Sequence, residues 1–422
     1  MLVHPKYKRT AATHMAYGLL GAPLAFGSLP LYVALPHHYA QYPGVALPAL
    51  GAVLLAARVL DAAIDPAVGR WTDALLRHSE RRTWWVACLI GLMLAGSFAA
   101  LWDVPAGMAP LWWLLAILPL CTLSCSSLVI IHQAWGTRWG GSPVWRAHIA
   151  AWREGAALSG VMLASGLISM QSRVWLNAAL MIGLLLGLLG LRRTFGLQAE
   201  EAPPAIHHGQ PSSPWRNPAF RRLITVYLLN GMAAAIPATL LPFFVADRLQ
   251  LPSMQGVFLL SYFGAAALTL PLWIRMVARQ GLAPTWRLGM TCTVVAFVLT
   301  PLLQAGDAVP FLLICVASGG ALGADLAVPG ALLTGLMRQT GNAQEGLHVG
   351  WWAFFGKLSL ALAAGTSLPL LQAWGYQSGS RDPAALQALV LAYAALPCAL
   401  KLMAALTLWW GEQQHPEWST RT

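Results

Sequence analysis

Apolar runs about 20 residues long, the length that crosses a hydrocarbon core, recur along this whole sequence. They fall near residues 13–36, 45–70, 83–102, 110–134, 147–169, 174–194, 219–245, 253–279, 285–304, 309–337, 346–372 and 384–410. Inside lipid, every backbone N–H and C=O needs a partner within the protein, so only helices or closed barrels span. Runs this long and without alternation specify helices. The sequence therefore predicts an all-α polytopic membrane protein with twelve transmembrane helices. Only 10% of the residues are charged, against about 25% in a soluble domain.

The net charge of +11 raises the question of a nucleic-acid partner, and its distribution answers against one. With the amino terminus inside, Lys6, Lys8, Arg70, Arg77, Arg81, Arg82, Arg216, Arg221 and Arg222 all fall on the cytoplasmic side. Only Arg173, Arg248 and Arg381 reach the outer side. Such asymmetry is a topology signal and predicts both termini in the cytoplasm, as in a bacterial inner-membrane protein. The six cysteines lie in apolar segments, none in a CxxC pair, and Cys121 and Cys125 have no His or acid at ligand spacing. No cofactor is expected. His14, His132, His148 and His348 are scattered, which argues against an intramembrane enzyme.

The second apolar run breaks its own pattern. The run from Val45 to Leu60 is almost purely Ala, Leu, Val and Gly, yet Arg58 falls in it and Asp61 and Asp65 follow, then Pro66, Gly69 and Arg70. On a helix Asp61 and Asp65 are i and i+4 and share a face, with Arg58 close to it. A charge at mid-bilayer costs at least ~2.5 kcal/mol on insertion scales, so three within two turns must face a cavity or each other. Two readings follow: a structural ion-pair knot, or a cation site.

Other features are spread along the chain. Gly18, Gly21, Pro23, Pro30 and Pro36 interrupt the first helix, which suits a moving wall or a kink for packing. The fourth helix has serines but no acid, and the fifth carries Trp152-Arg153-Glu154. Asp325 lies inside the tenth apolar run and Lys357 inside the eleventh. A midplane lysine must pair or lose its proton, and the acids on offer are Asp61, Asp65, Asp325 and Glu154. Residues 196–217 are rich in Pro, Ser and charge and read as a cytoplasmic linker. Leu29-Pro30-Leu31 recurs as Leu241-Pro242-Phe243, and Thr83-Trp84 as Thr285-Trp286. The domain reading is thus 1–195 and 218–422, two pseudo-symmetric six-helix bundles around the linker, the arrangement of the major facilitator fold. Gly69, Asp73, Arg77 and Arg82 resemble that superfamily's loop between helices two and three, which latches one conformation.

The pattern Arg58-x-x-Asp61-x-x-x-Asp65-Pro66-x-x-Gly69 resembles the second-helix motif of the glycoside–pentoside–hexuronide:cation symporters, the melibiose permease family. Tyr17-Gly18, Trp152-Arg153, Glu345-Gly346, Phe355-Gly356-Lys357 and Gly375-Tyr376 fit it too. The resemblance implies a coupling Na⁺, Li⁺ or H⁺ at Asp61 and Asp65, with Lys357 beside them and Arg58 holding their geometry. It implies substrate contacts from Arg153, grouped here with Tyr17, Trp352 and Asp325. Two departures stand out: the family's helix-one acid falls near Ala25, and helix four has no acid at all. Carboxylates grip sugar hydroxyls through several charge-assisted hydrogen bonds, so a galactoside substrate is disfavoured.

These features together predict a monomeric transporter in the lipid bilayer that couples a small solute, such as a sugar or glycoside, to Na⁺ or H⁺. No metal is expected beyond a possible Na⁺ at Asp61 and Asp65. The alternatives are a transporter or exporter of a lipid-like or amphipathic substrate, and a non-transporting membrane receptor.

Overall fold

A computed structural model describes residues 11–42, 45–169, 172–196, 213–339, 344–377, 379–415 and 418. The expected linker 196–217 and the terminal basic residues lie largely outside them. Among the described residues the fold is all helix, with no strand.

Twelve long helical stretches follow one another: α1 (Ala11–Ala40), α2 (Leu47–His78), α3 (Glu80–Ala100), α4 (Pro110–Thr137), α5 (Pro143–Ser169), α6 (Arg173–Arg192), α7 (Pro218–Arg248), α8 (Pro252–Gln280), α9 (Leu282–Leu302), α10 (Ala308–Arg338), α11 (Glu345–Ala373) and α12 (Pro383–Gln414). Ten of them are long and apolar enough to cross a membrane by length and composition. The other two, α2 and α5, are those that carry Arg58, Asp61 and Asp65, and Arg153 and Glu154.

Proline and glycine set the irregularities. The ladder of α1 is interrupted at residues 19–20, just before Gly21, and that of α10 at Val328, just before Pro329. Two helices contain a π-helical turn, Phe244–Arg248 at the end of α7 and Leu391–Ala395 within α12. The Phe244 and Tyr393 rings of these turns stack on each other, 4.2 Å between centroids and 9° from parallel.

The chain forms two compact units. The first comprises Met1–Gly141, His148–Pro211 and Met337–Phe354, and so includes the start of α11. Its helices meet backbone to backbone through small residues, the usual device where lipid gives no hydrophobic drive to pack. A Cβ on Gly21 would lie 2.5 Å from the Arg153 carbonyl oxygen, and one on Gly160 would lie 2.0 Å from that of Ala22. The glycines of α1 therefore serve a close crossing with α5.

The second unit comprises Ser142–Ala147, Ser212–Leu336 and Phe355–Thr422. Thr269 Oγ1 and Trp273 Nε1 of α8 both donate to the Gly320 carbonyl of α10, at 2.8 and 2.7 Å. Phe244, Phe258, Phe311 and Tyr393 form its aromatic core. The Thr-Trp repeat has a shared geometry. Thr83 donates to the Ser79 carbonyl at 2.9 Å, and Thr285 to that of Gly281 at 2.7 Å, each locking the first turn of its helix.

Candidate cation and substrate site

Helix α2 turns a stripe of acids inward. Ala57, Asp61, Asp65, Gly69 and Asp73 are all buried and spaced four apart, the helical repeat of one face. The three aspartates are 5%, 1% and 4% exposed, whereas Arg58 and Arg70 on other faces are exposed. Ser126 of α4 donates to Asp61 Oδ1 at 2.7 Å. A hydroxyl thus stands beside Asp61 on the helix that lacks an acid.

Below Asp65 the stripe becomes a contact surface. A Cβ on Gly350 would fall 2.5 Å from the Asp65 carbonyl oxygen, and one on Gly69 would fall 2.1 Å from that of Gly346. Glycine is required at both because backbone meets backbone. One turn further on, the Asp73 carboxylate accepts the N–H groups of Gly346 and Leu347, at 2.6 and 2.9 Å. The first amides of a helix have no partner within it, and their dipole favours an anion. Asp73 is therefore a cap for α11 supplied by α2.

The loop expected after Gly69 is a continuation of helix. α2 runs to His78, and only Ser79, in an extended conformation, separates it from α3. The expected gating residues Gly69 and Asp73 sit within that helix, and Arg77 and Arg82, both exposed, flank the break. Arg138 Nη1 donates to the Leu76 carbonyl at 2.8 Å and satisfies the open end of α2.

The expected substrate residues are placed in different surroundings. Tyr17 has no exposed surface. Its hydroxyl donates to the His132 carbonyl at 2.9 Å, and His132 Nε2 lies 2.9 Å from the Tyr17 carbonyl. The two rings lie 4.2 Å apart between centroids, tilted by 43°. Tyr17 thus clamps α1 to α4. Arg153 donates from Nε and Nη2 to Glu154 Oε1 at 3.1 and 2.7 Å, and the two side chains remain 14% and 27% exposed. Adjacent residues on a helix point about 100° apart, and these two are joined because both side chains are long enough to bend together. Trp352 is 6% exposed in the first unit. Lys357 is half-buried on α11 in the second.

Asp325 belongs to a cluster that the sequence reading missed. Lys401 Nζ donates to its Oδ2 at 2.6 Å, while Asn230 Nδ2 and Trp286 Nε1 donate to its Oδ1 at 3.1 and 2.7 Å. The lysine paired with Asp325 is therefore Lys401, itself 3% exposed. The signal was present: Lys401 sits inside an apolar run as Lys357 does. Among the described residues no group of three or more His, Cys, Asp or Glu is placed to hold a metal ion.

No curated protein matches this chain in sequence. Solved structures do match in fold. A bacterial homologue of the iron transporter ferroportin, crystallised outward-facing, is 16% identical with a TM-score of 0.66, over 95% of this chain and 99% of that one. The human organic anion transporter MFSD10 is 19% identical with a TM-score of 0.64, over 94% and 98%. The Escherichia coli fucose:proton symporter FucP, in the form of a point variant, is 11% identical with a TM-score of 0.64, over 93% and 98%. At these identities the likeness concerns the fold. The sequence itself matches the MFS/sugar transport protein family from residue 11 to residue 410. The chain therefore belongs to the MFS/sugar transport protein family, and is an integral membrane transporter of the major facilitator superfamily and not an enzyme.

Proposed function

We propose that this transporter is a symporter driven by Na⁺ or H⁺, that the cation is accepted at Asp61 and Asp65, and that the transported solute is small, such as a sugar or glycoside. The observation that carries this reading is the buried acidic stripe of α2, with Asp61 5% and Asp65 1% exposed and a hydroxyl from Ser126 on Asp61. Two buried carboxylates and a hydroxyl form an oxygen-rich cradle for Na⁺. A single proton on one carboxylate relieves the same repulsion. Cation binding changes the charge carried by this buried stripe and shifts the balance between inward- and outward-open states.

The continuity of the acidic stripe from Asp61 to Asp73 supports coupling to gating. Asp73 caps α11 on the same face four turns below Ala57, so a change at Asp65 reaches that cap through one rigid helix. In this reading Gly69, Asp73, Arg77 and Arg82 hold one conformation, and Arg153, near the crossing of α1 and α5, contacts the solute. The protein works as a monomer in a bacterial inner membrane with both termini in the cytoplasm.

The test is uptake in reconstituted vesicles. Asp65→Asn removes one charge with little change of shape. It is expected to fold, to lose accumulation driven by an imposed Na⁺ or H⁺ gradient, and to keep part of the solute exchange. Accumulation by Asp65→Asn at the wild-type rate under the same gradient refutes the coupling site and leaves the stripe as a structural ion-pair knot.

A further inference from the structure

A cavity lies wholly within the second unit, bordered by α7, α8, α9, α10 and α12, and holds about 720 Å³ including its open mouth. Its walls are aromatic and aliphatic, with Phe258, Phe263, Phe297 and Phe311 among the largest groups. One end is ionic, where Asp325 and Lys401 line the same space.

The two charges differ in what remains open to a ligand. Asp325 already accepts from Lys401, Asn230 and Trp286 and is closed. Lys401 carries three N–H donors and spends one, on Asp325. Two tyrosines, Tyr262 and Tyr393, also line the cavity, and Tyr393 is only 3% exposed. Among the described residues neither phenol hydroxyl makes a hydrogen bond to the protein. Neither hydroxyl is among the buried polar atoms left without a partner, so both face the open space of the cavity and can donate to a ligand.

The ion pair is neutral as a unit. A ligand with a net charge would add an uncompensated charge to an apolar wall, which is unfavourable whatever its sign. A neutral ligand with an acceptor oxygen would satisfy the spare donors and stack its body between phenylalanine rings. We infer that this cavity binds an uncharged, flat, largely apolar molecule with a carbonyl-type acceptor, its oxygen held by Lys401 and the phenols of Tyr262 and Tyr393. The site is independent of the coupling proposed for Asp61 and Asp65, which belong to the first unit, and exists whether its ligand is carried or only bound.

Three probes of one shape separate the possibilities: 2-acetylnaphthalene (neutral), 2-naphthoate (anionic) and 2-naphthylmethylammonium (cationic). Their binding is measured by equilibrium dialysis on the full-length protein in phosphatidylcholine nanodiscs, with empty nanodiscs subtracted. The neutral ketone is expected to bind saturably at one site, and each charged probe at least tenfold more weakly. Ala238→Trp fills the cavity and should abolish binding. The double variant Asp325→Asn, Lys401→Met removes the donors without leaving a lone charge and should weaken binding at least tenfold. Tyr393→Phe removes only a hydroxyl, keeps the packing, and should weaken binding severalfold even if the other variants fail to fold. The inference is overturned if no probe binds saturably, if a charged probe binds as tightly as the ketone, or if Tyr393→Phe binds the ketone with unchanged affinity.

Discussion

Replacing Asp73 by Asn should loosen the start of α11 by an amount that can be worked out. The carboxylate accepts two amides, from Gly346 and Leu347, at 2.6 and 2.9 Å. Hydrogen bonds to a charged group contribute about 1.5–3 kcal/mol each. Asn offers one neutral acceptor oxygen, worth ~1 kcal/mol, and turns an N–H toward the other amide. It also loses the attraction between an anion and the helix N-terminus, ~0.3–1 kcal/mol. The net loss is about 2–3 kcal/mol, toward the lower end because water can reach the freed amide. Each 1.4 kcal/mol is tenfold in an opening equilibrium, so the Gly346 and Leu347 amides should exchange with deuterium about 30- to 150-fold faster. Hydrogen-exchange mass spectrometry on peptides covering 344–352 reads this directly. Asp103→Asn is the control: it removes a surface ion pair with Arg173, the aspartate side chain being 79% exposed, and should leave those peptides unchanged. If Asp73→Asn moves exchange at Gly346 and Leu347 by less than threefold, the carboxylate is not what holds the start of α11, and the reasoning fails.

Three further outcomes are expected. Gly350→Ala, whose Cβ would lie 2.5 Å from the Asp65 carbonyl, should cost about 1–3 kcal/mol and lower the melting temperature, while Gly166→Ala, with nothing within 4 Å, should not lower it. Cysteines introduced at Ser212 and Ser380 in a background lacking the exposed Cys292 should label from opposite sides of the membrane, and same-side labelling would overturn the topology. Melibiose should be a poor substrate because helix four carries no acid and the family's helix-one acid falls near Ala25; robust cation-driven melibiose uptake would show that the missing acids do not matter.

The helices were legible because membrane spans obey a length rule that few other structures share. Every apolar run became a helix, and the charged exceptions in α2 and α5 were visible as exceptions. What the sequence could not supply was pairing between distant helices. Asp325 and Lys401 are 76 residues apart, and a lysine in an apolar run states only that it needs a partner, not which acid will serve. Tyr17 shows the same limit. A tyrosine beside glycine in a kinked helix reads equally as a ligand contact or a clamp, and only the bond to the His132 carbonyl decides for the clamp. The end of α2 was misplaced for a local reason. Gly69 looked like a helix stop, but the close approach of Gly346 requires a glycine there inside a continuing helix.

The π-helical turn of α12 has a consequence for how this chain is compared with relatives. A π turn holds one residue more than an α turn, and one residue rotates all that follows by about 100°. Lys401 comes six residues after Ala395, so its direction toward Asp325 depends on that surplus residue. Wound as regular α-helix, the same residues would turn the lysine about 100° away from the acid, whereas a regular helix one residue shorter keeps its direction. A relative without the insertion would carry the equivalent lysine one position earlier, where a gapless comparison finds none. Descent at this ion pair is therefore to be traced through insertions and deletions, and not through substitutions alone.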